Sequence, residues 1–110
     1  MKLLSFSEFC QLPNGVVYQE YRPDYLDELR CRQDVIRKDG VPIDFRYNEM
    51  LPQIEFNEDN VVKDIEFRED ISRWGLFRHD SQFLVYDCAD IEILRNRLRR
   101  FHKCNEYLDD

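Results

Sequence analysis

Glycine is scarce in this chain, three residues in 110, and proline adds only four. Long structureless connections lean on such residues, so most of the chain is expected to lie in regular elements with short links. No apolar run is long enough to span a membrane as a helix. Met1-Lys2-Leu3-Leu4 has the look of a signal start, but Ser5, Ser7, Glu8 and Gln11 interrupt it before an apolar segment develops. Cys10, Cys31, Cys88 and Cys104 include no CxxC pair. A cytoplasmic protein is therefore expected, its thiols reduced and most of them packed as small hydrophobes. Cations are in deficit, with 16 Lys and Arg against 23 Asp and Glu. That balance disfavours nonspecific binding to nucleic acid or to an anionic membrane, because both need a cationic footprint.

Aromatic residues, by contrast, are abundant: eight Phe, six Tyr and one Trp. They supply large buried areas to a chain that is also 35% charged, which favours one folded domain over residues 1–110 with a heavily charged exterior. The charge is unevenly placed. Residues 1–90 hold 19 acids and 11 bases, whereas residues 91–110 hold 4 acids and 5 bases.

Ser5 and Glu8 have the spacing of a capping box, flanked by Leu4 and Phe9 as a hydrophobic staple, so a short helix from Phe6 to about Leu12 is expected. Pro13-Asn14-Gly15 ends it, and the β-branched and aromatic segment from Val16 to Tyr21 reads as a strand. Leu29, Cys31 and Val35 then alternate with Arg30, Arg32 and Asp34, while Ile43, Phe45 and Tyr47 alternate with Asp44, Arg46 and Asn48. A two-residue turn at Asp39-Gly40 would set Phe45 opposite Asp34 and Tyr47 opposite Arg32, putting the two apolar sets on opposite faces. A three-residue loop of Lys38, Asp39 and Gly40 avoids this, pairing Val35 with Ile43 and Cys31 with Tyr47, with Gly40 left-handed in a bulge. Pro42 belongs at an edge or a non-bonded site.

From Met50 to Ile71 the periodicity weakens. Ile54 and Phe56 alternate, as do Ile65 and Phe67, and strands are assigned there; Trp74 and Phe77 are expected to close over the core. Phe83 to Tyr86 reads as a short strand buried on both faces. The last element is an amphipathic helix: Asp87 caps it, Asp90 and Glu92 load its first turn, and Ile91, Leu94, Leu98 and Phe101 recur at helical spacing. Arg95, Arg97, Arg99, Arg100 and Lys103 crowd its second half, where cations complement the helix dipole.

These elements add up to an α+β domain: a curved antiparallel sheet of four or five strands, or a partly open barrel, with a short N-terminal helix and a long C-terminal helix sealing the core. The expected buried sheet residues are Val17, Leu29, Cys31, Val35, Ile43, Phe45, Tyr47, Leu84 and Tyr86.

Three segments carry a resemblance: Phe9-Cys10-Gln11-Leu12-Pro13-Asn14-Gly15-Val16-Val17-Tyr18-Gln19-Glu20-Tyr21, Gly40-Val41-Pro42-Ile43-Asp44-Phe45, and Phe83-Leu84-Val85-Tyr86 before a helix. Together the pattern resembles small uncharacterised accessory proteins of tailed bacteriophages and prophages. It departs from them at Tyr21-Arg22-Pro23-Asp24-Tyr25 and in the shortness of the region between Leu51 and Phe83. The resemblance brings no catalytic motif. It implies expression inside an infected bacterium and a role in host takeover, counter-defence or regulation, through a host or phage protein as partner.

No phosphate-binding glycine loop, nucleophile elbow or other catalytic signature is present, so a non-enzymatic protein without a cofactor is expected. Zinc would have to draw on His79, His102 and cysteines spaced 21, 57 and 16 positions apart, without the close pairs that structural zinc favours. A thiol nucleophile lacks a neighbouring base. The carboxylates Glu55, Glu58, Asp59, Asp64, Glu66, Glu69 and Asp70 lack the spacing of a calcium loop and are interleaved with Lys63, Arg68 and Arg73, as on a solvated face. The same stretch could instead imitate a phosphate backbone and occupy an Arg/Lys groove built for nucleic acid. Arg95, Arg99 and His102 stack at i, i+4 and i+7, a docking face for an acidic protein in preference to DNA. A further possibility is a cleft in which Tyr18, Tyr21, Tyr25 and Trp74 clamp a nucleotide-like small ligand with nearby Arg residues.

Overall fold

The computed structural model describes residues 1–72 and 81–101. Trp74, Phe77, His79, His102, Lys103 and Cys104, and the expectations resting on them, lie outside the described residues.

The capping box forms as the sequence requires. Ser5 Oγ accepts from Glu8 N and Glu8 Oε1 accepts from Ser5 N, both at 3.2 Å, which launches helix α1 (Phe6–Cys10) from strand β1 (Lys2–Ser5). Gly15 takes φ +95° to turn the chain into β2 (Val17–Arg22). A two-residue strand β3 (Tyr25–Leu26) folds back on β2, followed by β4 (Arg30–Lys38) and β5 (Val41–Glu49). Next come β6 (Gln53–Phe56), β7 (Val62–Glu66), β8 (Ile71–Ser72), β9 (Gln82–Tyr86) and helix α2 (Cys88–Phe101).

The α+β class with an antiparallel sheet and a helix at each end of the chain is what the sequence led us to expect. Among the described residues the sheet is open and has seven strands, more than four or five, in the order β1-β9-β2-β4-β5-β8 with β3 added to β2. Strands β6 and β7 form a separate two-stranded sheet.

The β4–β5 hairpin corrects the expected register. Lys38 pairs with Val41 and Arg37 with Pro42 across a two-residue turn, Asp39 and Gly40 taking φ 52° and 79°. The parity conflict is resolved by two bulges. One leaves Ile43 as an extra residue on β5, so that Val35 meets Phe45; the second, between Arg32 and Val35, puts an extra residue on β4 and returns Tyr47 to Arg32. Ile43 is consequently exposed.

The face covered by α1 holds the core: Phe9, Tyr18, Phe45, Tyr47 and Phe83, with Leu4, Phe6, Val35, Ile71 and Val85 around them. Phe9 stacks on Phe83 with centroids 4.4 Å apart and meets Phe45 edge-on at 5.3 Å. Of the expected buried set, Val35, Phe45 and Tyr47 are here. Val17, Cys31, Leu84 and Tyr86 occupy the opposite face and are only partly buried, because β2, β4 and β9 present alternate residues to α1.

Arg32 sits in the core, fully buried. Its guanidinium donates to the carbonyls of Phe9 and Leu12, each at 2.5 Å, and to Asn14 Oδ1 at 3.2 Å; Arg37 reaches the Cys10 carbonyl at 3.3 Å. Carbonyls at the end of a helix have no intrahelical donor, and these two cations supply it.

Helix α2 does not seal the core. Asp87 and Asp90 cap it reciprocally, Asp90 N donating to Asp87 Oδ1 at 2.9 Å and Asp87 N to Asp90 Oδ2 at 3.0 Å. Ile91 and Leu94 lie against the uncovered face of the sheet, but no residue of the helix is buried, and Leu98 and Phe101 are 72% and 60% exposed. None of the described helices is long and apolar enough to cross a membrane.

Candidate functional site

Strands β6 and β7 make a ribbon that, among the described residues, pairs with no other strand. Its tip is built by Asn57, whose Oδ1 accepts from Asp59 N and Val61 N while its backbone carbonyl accepts from Asn60 N; Asn60 takes φ 59°. Its base is stitched to the main sheet. Arg68 Nη2 meets the buried Glu49 Oε1 at 2.8 Å, Asp70 N donates to Asn48 Oδ1 at 2.8 Å, and Gln53 Nε2 donates to Glu28 Oε2 at 2.7 Å.

Register gives the ribbon two unlike faces. Ile54 opposes Ile65 and Phe56 opposes Val62, so these four side chains share one face, and they are between 49% and 60% exposed. Glu55 opposes Asp64, and Glu66 opposes Gln53, on the other. Like charges directly across a ladder repel, and Lys63 relieves the pair by reaching Glu55 at 3.4 Å. Glu58 and Asp59 occupy the exposed tip. The structure therefore gathers Glu55, Glu58, Asp59, Asp64 and Glu66 on one projecting element. Beside them Gln53, Glu66 and Arg68 line an open hollow of about 380 Å³.

The second surface is the distal half of α2. Arg97 and Arg100 lie over the Phe101 ring at 5.1 and 5.2 Å, Arg95 pairs with Glu92 at 3.6 Å, and Arg99 is exposed. As the helix leaves the sheet it opens a wedge of about 540 Å³ lined by Leu29, Leu51, Leu94, Arg97, Leu98 and Phe101. Arg95 lines a separate groove beside Val17, Tyr86 and Ile91, so Arg95 and Arg99 do not converge on the wedge itself but border it.

The aromatic cleft is not formed. Tyr18 is 1% exposed and packs on Phe9 at 4.8 Å between centroids, because its parity in β2 faces α1. Tyr21 points from the opposite face of β2, and Tyr25 is exposed beside Asp27, its hydroxyl 3.4 Å from Oδ1. Among the described residues no three His, Cys, Asp or Glu side chains are grouped to hold a metal ion. Burial raises the Cys31 thiol pKa, which keeps it protonated and unreactive; Cys10 is buried and Cys88 exposed.

Sequence reasoning placed Arg30, Arg32 and Asp44 on a solvated face and missed that they turn inward. It also assigned strands around Ile54 and Phe56 and around Ile65 and Phe67 without saying what their apolar face would meet. The alternation was correctly seen, yet periodicity reports which residues share a face and is silent on what that face meets. No family model, no curated protein and no solved structure matches the chain.

Proposed function

We propose that this chain is a non-enzymatic interaction protein that binds and modulates another protein through the acidic face of its projecting ribbon. The observation that carries the reading is the β6–β7 ribbon itself: a two-stranded element outside the main sheet, with Glu55, Asp64 and Glu66 on one face and Glu58 and Asp59 at its tip, all exposed. Carboxylates two residues apart on a strand are about 6.6 Å apart, held in place by the ladder. Such a row meets an Arg/Lys groove as a phosphate backbone does, displacing the same counterions. The partner class is a protein whose own ligand is nucleic acid. The resemblance to phage accessory proteins supports the setting, a host or phage target inside an infected bacterium. The reading of a nucleotide-clamping cleft has no geometric support among the described residues, since Tyr18 belongs to the core.

The test uses two baits, the parent chain and Glu55→Gln/Asp64→Gln/Glu66→Gln, in affinity capture from bacterial lysate at low and high salt. A partner recovered in stoichiometric amount by the parent, lost at high salt and lost with the neutralised bait, and displaced by its own DNA or RNA, is the expected result. Equal recovery by both baits, or a partner indifferent to nucleic acid, would overturn the reading.

A further inference from the structure

The geometry points to a second copy of this chain as the occupant of the α2 wedge: we propose a two-fold dimer in which the apolar face of each β6–β7 ribbon lies against Leu94, Leu98 and Phe101 of the other copy.

Among the described residues of a single copy two apolar surfaces are left open. One is the ribbon face of Ile54, Phe56, Val62 and Ile65; the other is the wedge walled by Leu29, Leu51, Leu94, Leu98 and Phe101. A two-stranded ribbon without a packed face is marginal in water, so covering this one would add to the stability its stitched base provides. The radius of gyration, 16.6 Å, exceeds the roughly 13 Å of a compact domain of about 100 residues, as a projecting element requires.

Charge selects the partner. Residues 53–70 hold seven acids and two bases, whereas α2 from Ile93 to Phe101 holds four arginines and no acid. At 3.6 residues per turn, Arg95 and Arg99 border the Leu94–Leu98–Phe101 stripe on one side and Arg97 and Arg100 on the other. An apolar face with Glu58 and Asp59 at its tip, on an acidic ribbon, thus meets an apolar stripe rimmed by arginines. Because both halves of the match are carried by every copy, a two-fold axis forms the contact twice. Lengths agree as well: the stripe runs about 10 Å and a four- or five-residue strand about 13–17 Å. The four ribbon side chains with Leu51, Leu98 and Phe101, each about half exposed or more, come near the roughly 800 Å² per partner of a stable interface. The carboxylates of Glu55, Asp64 and Glu66 project from the ribbon's other face, so the dimer stands or falls independently of the partner proposed above.

Sedimentation velocity of the full chain at micromolar and tenth-millimolar concentration reads the dimer as twice the chain mass of 13.5 kDa. One variant reverses the ribbon's tip (Glu58→Lys/Asp59→Lys) and a second reverses the helix (Arg95→Glu/Arg97→Glu/Arg99→Glu). Each alone is expected to raise the dimer dissociation constant at least ~10-fold. Mixed in equal amounts they should regain a dimer, since each reversed ribbon then faces a reversed helix. Phe56→Ser/Ile65→Ser, which leaves charge untouched, should be monomeric with an unchanged far-ultraviolet spectrum. A parent monomeric at the higher concentration, an apolar variant that dimerises like the parent, or folded charge variants whose mixture stays monomeric would each overturn the proposal.

Discussion

Arg32 holds the Phe9 carbonyl at 2.5 Å while its guanidinium carbon lies 5.2 Å from the centroid of the Phe9 ring, so one buried cation fixes both the end of α1 and its principal core side chain. Replacing Arg32 by Met orphans the Leu12 carbonyl and leaves the Phe9 carbonyl with only the Leu12 N–H at 3.2 Å. With about 1–3 kcal/mol for the orphaned group and about 1.5–3 kcal/mol for the charge-assisted bond lost at Phe9, the loss should be at least about 2.5 kcal/mol. Arg32→Lys, a point charge unable to serve both carbonyls and Asn14 together, should fall between the two. Urea unfolding with a lowered midpoint and unchanged slope is the expected signature; a Met variant as stable as the parent would remove Arg32 from the account of the core.

Phe83 and Leu98 should separate cleanly. Phe83 is fully buried between Phe9 and Phe45, so Phe83→Ala should cost about 3–5 kcal/mol. Leu98 is 72% exposed, and Leu98→Ala should stay within about 0.5 kcal/mol in the monomer. A large loss at Leu98 measured below the concentration of any association would mean that α2 does close on the sheet.

That contrast also marks how far the sequence could be read. Helical spacing of Ile91, Leu94, Leu98 and Phe101 located α2 and its apolar stripe, and Asp87 its start; nothing in the spacing says that the axis departs from the sheet after Leu94. Alternation in β4 placed Arg32 outside because arginine is rarely buried, and only the carbonyls gathered at the end of α1, a tertiary fact, reverse the expectation. The acids from Glu55 to Glu66 were legible as a cluster. Their arrangement on one face of a ribbon depended on the register of two short strands.

At the Asp39-Gly40 turn, Gly40 adopts φ 79° with nothing within 4 Å of where a Cβ would stand. Gly40→Ala should therefore cost about 1–2 kcal/mol from backbone conformation alone. The loss should appear in urea unfolding without a change in the hydrogen-exchange pattern of β2 and β9. A neutral outcome would show that the turn relaxes to another type.

Acid should loosen both helix starts. Hydrogen bonding to the backbone and side chain of Ser5 lowers the Glu8 pKa from its ordinary 4.5, and the N-terminal ammonium together with the Asp87 backbone N–H lowers Asp90 from 3.8. A carboxylate whose pKa is lower folded than unfolded binds its proton more readily when unfolded, so its contribution is complete above the ordinary pKa and is lost as pH falls through the lowered one. Melting temperature should thus decline below about pH 4.5 for this reason. In Glu8→Gln and Asp90→Asn the decline should be shallower; identical slopes in parent and variants would assign acid sensitivity to other carboxylates.

The paired bulges of β4 and β5 behave as a frameshift and its suppressor. Outside them the hairpin keeps the register its turn dictates, with Lys38 on Val41 at one end and Arg30 on Glu49 at the other; between them it reads in the alternative frame, which is where Val35 finds Phe45. Deleting Ile43 would abolish only the first bulge, leaving Val35 on Phe45 and, through the second bulge, Arg32 on Tyr47. Removing one of Gln33 or Asp34 would likewise abolish only the second. A deletion at a paired position between them, such as Ile36 or Phe45, has no such allowance and shifts the partners of the residues beyond it.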